Sequence, residues 1–200
     1  MRLMSLFAVS AIALAGLSGA ARAESDFAKF LRGGQKPIVH GGGYVSDKSP
    51  IPRQKVRFDD VKEQGVIVID TSERRLYYTL GNGKAIKYAV GVGREGFQWA
   101  GTDRISRKAE WPGWTPPATM RARVLREEGR KLPAYMPGGK NNPLGARAMY
   151  IGGRIYRIHG TNQPWTLGQA MSSGCIRMAN EDVIELYGKA GVGTKVIVRQ

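Results

Sequence analysis

The chain of 200 residues holds one cysteine and two histidines. Cys175 stands in Ser172-Ser173-Gly174-Cys175-Ile176-Arg177-Met178, sixteen positions after His159. A lone cysteine cannot close an internal disulfide, so its place in such a run points to chemistry of the thiol. A thiol nucleophile needs a base to form thiolate, a group to orient that base, and donors for a developing oxyanion. His40 lies beside Gly41-Gly42-Gly43 and reads as exposed linker, which leaves His159 as the partner. It closes a strand-like run and precedes Gly160-Thr161-Asn162-Gln163-Pro164, a turn-forming sequence. A histidine so placed points from a rigid element into a loop-built cleft.

Gly174 lets the backbone approach a substrate and reach a conformation that other residues resist. The amides of Ser173, Gly174 and Cys175 are then the candidate oxyanion donors. Arg177 has two readings: a fork for a substrate carboxylate that also lowers the thiol pKa, or a structural salt bridge with an acid such as Asp182. Gly91-Val92-Gly93-Arg94-Glu95-Gly96 matches a dinucleotide fingerprint, but no helix opens after it, so it reads as a strand-end turn. One cysteine and two distant histidines do not make a zinc site, and no cofactor is expected. Trp111 and Trp114 are read either as a sugar-stacking pair or as a local packing cluster.

The elements that position these residues are mostly strands. Val66–Asp70 is β-rich, and alternating apolar residues flank Gly81-Asn82-Gly83, which predicts a hairpin. Further strands are expected over 148–151, 154–159 and 195–198. A short basic helix is expected over 120–131. A second is expected to start at Asn180 as N-cap, with Glu181 and Asp182 in its first turn, a face of Val183, Ile184 and Tyr187, and a stop at Gly191. Consecutive prolines and tryptophans make 97–146 read as one long irregular loop. The domain is thus mainly β, with one or two short helices.

Formal charge is +15, with 42% hydrophobic residues, enough for a core. Such a charge favours an acidic partner. Met1-Arg2, an apolar run from Leu3 to Ala20 and Ala21-Arg22-Ala23 read as a signal peptide over 1–23. Residues 24–64 read as a flexible basic linker. Export directs the basic charge to the cell wall or envelope in the periplasm. No nucleic-acid role and no membrane span after signal cleavage are expected.

The run from His159 to Met178, with its His-Gly-Thr-Asn and Ser-Ser-Gly-Cys-Ile-Arg-Met blocks, resembles the L,D-transpeptidases of the YkuD (ErfK/YbiS) family. The Trp111–Pro117 run and Asn142-Pro143-Leu144-Gly145-Ala146-Arg147 look family-like as well. The resemblance implies a YkuD-like β-sandwich catalytic domain over 65–199 with a long loop over the active site. It makes Cys175 the nucleophile, His159 its base and acid, and the Gly160 carbonyl the group that orients the imidazole. Ser173 stands where many members have histidine. Asn162, Trp165 and Arg177 are expected to touch substrate. The implied reaction is a thioester with a peptidoglycan stem tetrapeptide, release of D-Ala, and transfer to an amine, giving a 3→3 cross-link. Acceptors that stay open are an envelope protein's amine, water and a D-amino acid. Papain-like and NlpC/P60 hydrolases place cysteine before histidine, and sortases use a longer interval. A basic wall-binding module with an idle thiol is the reading from another class.

Overall fold

A computed structural model describes residues 47–93, 99–129, 131–153, 156–172 and 174–200. The expected signal peptide, most of the glycine-rich leader, Arg94–Gly96 and Ser173 lie outside them. Nine of the described strands form one sheet in the order β1 (Gln54–Arg57), β4 (Lys84–Ala89), β3 (Arg75–Gly81), β2 (Ile67–Asp70), β11 (Lys195–Arg199), β6 (Gly101–Glu110), β7 (Arg147–Ile151), β8 (Arg157–His159) and β10 (Ile176–Arg177). Two short strands, β5 (Val92–Gly93) and β9 (Ala170–Ser172), pair separately. Two helices complete the described fold, α1 (Ala118–Glu128) and α2 (Asn180–Lys189). Among the described residues no helix is long and apolar enough to cross a membrane.

The hairpin β3–β4 is local in origin. Asn82 and Gly83 both take positive φ, 50° and 64°, the backbone a two-residue hairpin turn of matching twist demands. Alternation then sorts the side chains. Ile67 and Ile69 of β2 enter the main core with Leu76, Tyr88, Met149, Ile151, Ile158 and Ile176. Val66 and Val68 face the other way, against Phe58, Tyr77 and Ala85. Strands from both ends of the sheet order share the main core, so the sheet folds onto itself as a sandwich.

That folding passes through β6, which corrects the reading of 97–146 as one irregular loop. Its first residues pair with β11, as in Val196↔Asp103, and its later ones with β7, as in Lys108↔Met149. Only Ile105 of the ten is fully buried, so hydropathy does not mark the strand. Its charges find other places. Arg107 lies 3.6 Å from the Tyr150 ring centre, and Lys108 Nζ donates to the carbonyls of Tyr187 and Ala190 at the C-terminus of α2.

The leader is also corrected at its C-terminal end. Strand β1 pairs with β4, Phe58 stacks on Tyr77, and Arg53 reaches across to Asp182 at 2.9 Å. Helix α1 stops where Gly129 turns left-handed at φ 65°. In α2, Glu181 and Asp182 occupy the first turn as expected, but Ala179 is the cap residue and Asn180 turns its side chain elsewhere. Leu186 joins Val183 in the core, while Ile184 is exposed.

Candidate active site

Strands β8 and β10 lie parallel, with Ile158 opposite Ile176 and His159 opposite Arg177. Both isoleucines enter the core. The two-residue period therefore turns His159 and Arg157 to the opposite face, together with Arg177. Cys175, the residue before β10, comes to lie beside Arg157, which hydrogen-bonds to it. The parallel pairing thus brings Cys175 and His159, sixteen positions apart in sequence, to neighbouring strand ends. The Met178 N–H donates to the His159 carbonyl at 2.8 Å and pins the two strands past the site.

His159 is buried, and its Nδ1 lies 2.6 Å from the Gly160 carbonyl oxygen. A carbonyl only accepts, so the contact assigns the proton to Nδ1 and leaves Nε2 bare. Burial pushes the imidazole pKa down to about 3, and the nearby Arg157 adds to this; the Gly160 carbonyl opposes it, Arg177 lowers it further, and the Leu144 carbonyl also opposes. The Cys175 thiol is half-buried and its pKa is raised by burial, against the pull of Arg157 and Arg177. The resting pair is therefore neutral imidazole and neutral thiol.

Gly174 takes φ 104°, a backbone that side chains rarely tolerate. Arg177 is buried, and its Nε and Nη2 have no hydrogen-bond partner among the described residues. Burial brings its pKa down to about 10, against the pull of Cys175 upward. The salt bridge to Asp182 does not form, because Asp182 pairs with Arg53 from the leader. Asn162 Nδ2 donates to the Asn141 carbonyl and ties two loops together. Trp165 sits in the 3-10 turn Pro164–Thr166, with a buried Nε1 that has no partner among the described residues.

Gly91 and Val92 are strand-paired rather than a turn: Gly91 bridges Arg177, and Val92–Gly93 forms β5. Trp114 is buried with Val124, Leu132 and Leu144, which resolves it as packing; Trp111 is exposed. Among the described residues no three His, Cys, Asp or Glu side chains gather as a metal set. Arg157 carries no signal in the sequence, because a charged residue two positions before a histidine gains meaning only once the strand is paired beside Cys175. Asn142, in the family-like run, braces its loop: its amide donates to the carbonyls of Met136 and Pro137, and its Oδ1 accepts from the Leu144 N–H.

Residues 64–198 match the family model described as the L,D-transpeptidase catalytic domain, YkuD. The probable L,D-transpeptidase YbiS of Escherichia coli strain K12 is 43% identical over 151 residues, covering 73% of this chain and 47% of that protein. The chain thus spans about half the length of that curated relative. An L,D-transpeptidase structure from Mycobacterium smegmatis superposes with a TM-score of 0.53 at 19% identity, over 68% of this chain and 58% of that one, and shares the fold. A Brucella melitensis structure described as a probable carnitine operon oxidoreductase caia is 42% identical with a TM-score of 0.50, over 76% and 96% of the two chains. With the family model covering more than half of the chain, this chain belongs to the YkuD L,D-transpeptidase catalytic domain family.

Proposed function

We propose that the chain is an exported cell-wall L,D-transpeptidase that works through a thioester on Cys175. The carrying observation is the β8–β10 pairing, which sets Cys175 beside the strand whose His159 holds a proton on Nδ1 and a lone pair on Nε2. Cys175 Sγ attacks the carbonyl carbon of the third residue of a stem tetrapeptide as His159 Nε2 takes the thiol proton. The C=O π electrons move to oxygen, and the amides of Ser173, Gly174 and Cys175 are the proposed donors to that oxyanion. The oxyanion collapses, the peptide bond breaks, and D-Ala leaves with the proton from His159. An amine then attacks the thioester carbon as His159 takes its proton, the C–S bond breaks, and the proton passes from His159 to the leaving sulfur, which regenerates the thiol.

Arg157 and Arg177 favour the thiolate that develops on Cys175. With its Nε and Nη2 buried and without an acceptor among the described residues, Arg177 suits a substrate carboxylate. Asn162 and Trp165 are the other proposed substrate contacts. Diaminopimelate of a neighbouring stem is the proposed acceptor, giving a 3→3 cross-link; an envelope protein's amine and water are the other acceptors of the same chemistry. Residues 1–23 are proposed to direct export to the periplasm, where the net positive charge suits the wall's carboxylates. The oxidoreductase description of the Brucella relative finds little support here: the fingerprint-like Gly91-Val92-Gly93 is strand-paired, and the next described element is β6, not a helix.

Intact-mass spectrometry with a disaccharide tetrapeptide tests the reading. Wild type is expected to form a thioester adduct and release D-Ala, and Cys175→Ala neither. A carbapenem is expected to acylate the same thiol. Absence of adduct, D-Ala and carbapenem label from wild type would sink the proposal and favour the wall-binding module.

A further inference from the structure

Asn180 opens α2 but does not cap it. Its side chain is buried, with Oδ1 accepting from the Ala146 N–H at 2.9 Å and Nδ2 donating to Asp47 Oδ1 at 2.9 Å. Because a carboxylate only accepts, Asp47 fixes which end of the amide is the oxygen. That oxygen lies against two glycines: a Cβ on either Gly145 or Gly160 would run into it. Gly160 supplies the carbonyl that accepts from His159 Nδ1. Gly145 follows Leu144, the other residue whose carbonyl faces the imidazole. One amide oxygen therefore touches the segment whose carbonyl holds the imidazole and the segment of Gly145 and Ala146 beside it.

Asp47 is held in turn. Its carbonyl accepts from the Glu181 N–H, and the Ser49 N–H donates to Glu181 Oε1, both at 3.3 Å. It lies outside residues 64–198, so the segment before the family-matched region reaches the Gly160 backbone by way of Asn180.

We propose that Asn180 is a positioning residue for His159, oriented by Asp47: it sets the Gly160 segment, whose carbonyl holds the imidazole, together with the adjoining segment of Gly145 and Ala146. The proposal rests on the reading of His159 as the base of Cys175. Removing the amide leaves the buried Ala146 N–H without its acceptor and opens space beside Gly160, so the Gly160 carbonyl can turn away from Nδ1. The imidazole then loses both its tautomer and its aim.

The test measures the rate at which iodoacetamide alkylates Cys175 in the full chain from about pH 2.5 to 10, a range that brackets the imidazole, read by intact mass. Cys175 is the sole cysteine, so the label is unambiguous. Circular dichroism sets a temperature at which each variant is folded. His159→Ala is expected to slow the reaction near neutral pH by about a hundredfold, the scale of a lost general base. Asn180→Ala is expected to slow it by about tenfold and displace the pH profile. The exchange variant Asp47→Asn with Asn180→Asp keeps both hydrogen bonds and the net charge but moves the carboxylate to the glycines. It is expected to recover most of the rate, with the acid limb displaced to higher pH, because a nearby anion favours the imidazolium.

A folded Asn180→Ala whose profile superposes on wild type overturns the proposal, whatever its melting temperature. If Asn180→Ala does not fold, an exchange variant with an unmoved acid limb overturns it. A profile unmoved by His159→Ala overturns the base assignment and this proposal with it. One moved by His159→Ala and unmoved by the Asn180 variants removes the positioning role alone.

Discussion

Gly91 and Arg177 exchange both backbone hydrogen bonds, at 2.9 and 2.8 Å, and the Arg177 side chain folds back onto the glycine. A Cβ at position 91 would lie 3.1 Å from Nε and 3.2 Å from Nη2. The glycine therefore serves close approach by a buried guanidinium, not the binding of a pyrophosphate.

The first prediction follows directly. Gly91→Ala is expected to cost roughly 1 kcal/mol in stability, the scale of mild overpacking. It is expected to slow thioester formation more than that loss implies, because the guanidinium is displaced from Cys175 and from the proposed carboxylate. Adduct formation followed by mass, beside urea unfolding, separates the two effects. Wild-type acylation in Gly91→Ala would show that Arg177 does not need this seat.

Acid should weaken the fold through His159. In the unfolded chain the imidazole takes up a proton near its ordinary value of 6.5, whereas the buried ring resists until about 3. Between those values the unfolded state binds more protons, so stability falls as pH falls and the loss is complete below the lower value. Urea unfolding at pH 7, 5 and 4 is expected to show a decline steeper in wild type than in His159→Gln, by an amount on the order of a few kcal/mol. Equal declines would mean that the imidazole is not held neutral by burial.

Trp114 links a distant cluster to His159. It packs with Val124, Leu132 and Leu144, and the Leu144 carbonyl faces the His159 ring. Trp114→Ala is expected to cost about 3 kcal/mol or more, as for large-to-small changes in a core. Acylation of Cys175 by a carbapenem should fall with it. Trp111, 42% exposed, is the control, and Trp111→Ala should leave stability within about 0.5 kcal/mol. Thermal unfolding of the two variants decides. Comparable losses would contradict the assignment of Trp114 to packing.

Asp182 is fully buried, and Arg53 holds one of its oxygens, while Oδ2 has no partner among the described residues. Burial raises the carboxyl pKa, against the hydrogen bond and charge of Arg53. Arg53→Ala is expected to destabilise by about 2 kcal/mol, less than for a fully buried pair because Arg53 is half open to water. Adding Asp182→Asn should return more than half of the loss by removing the stranded charge. A double variant no more stable than Arg53→Ala would show that the charge is not what costs stability.

Strands with regular alternation and turn residues were legible without coordinates: β2, the β3–β4 hairpin, β7, β8 and β11. Their signals are local, carried by apolar period and by positions such as Asn82 and Gly83 that need positive φ. Strand β6 was not legible, because its charges are accommodated by rings and helix-end carbonyls that come from elsewhere in the chain. Nor was β1, whose four residues have no buried face of their own and gain strand character from pairing with β4. Asn180 was misread as a cap for the same reason: the partners that draw its amide away lie 34 and 133 positions distant.

What the sequence determined by itself is chemical identity and local backbone: one thiol, one credible imidazole, and glycines where the chain must turn or yield. These properties belong to residue types and near neighbours, so they survive without a fold. The tertiary structure decided the rest. Parallel pairing brought His159 and Cys175 to neighbouring strand ends, burial holds the imidazole neutral and raises the thiol further, and Asp182 went to Arg53 rather than Arg177. Each depends on desolvation and contact between segments far apart in sequence, and neither exists until the sheet has closed around its core.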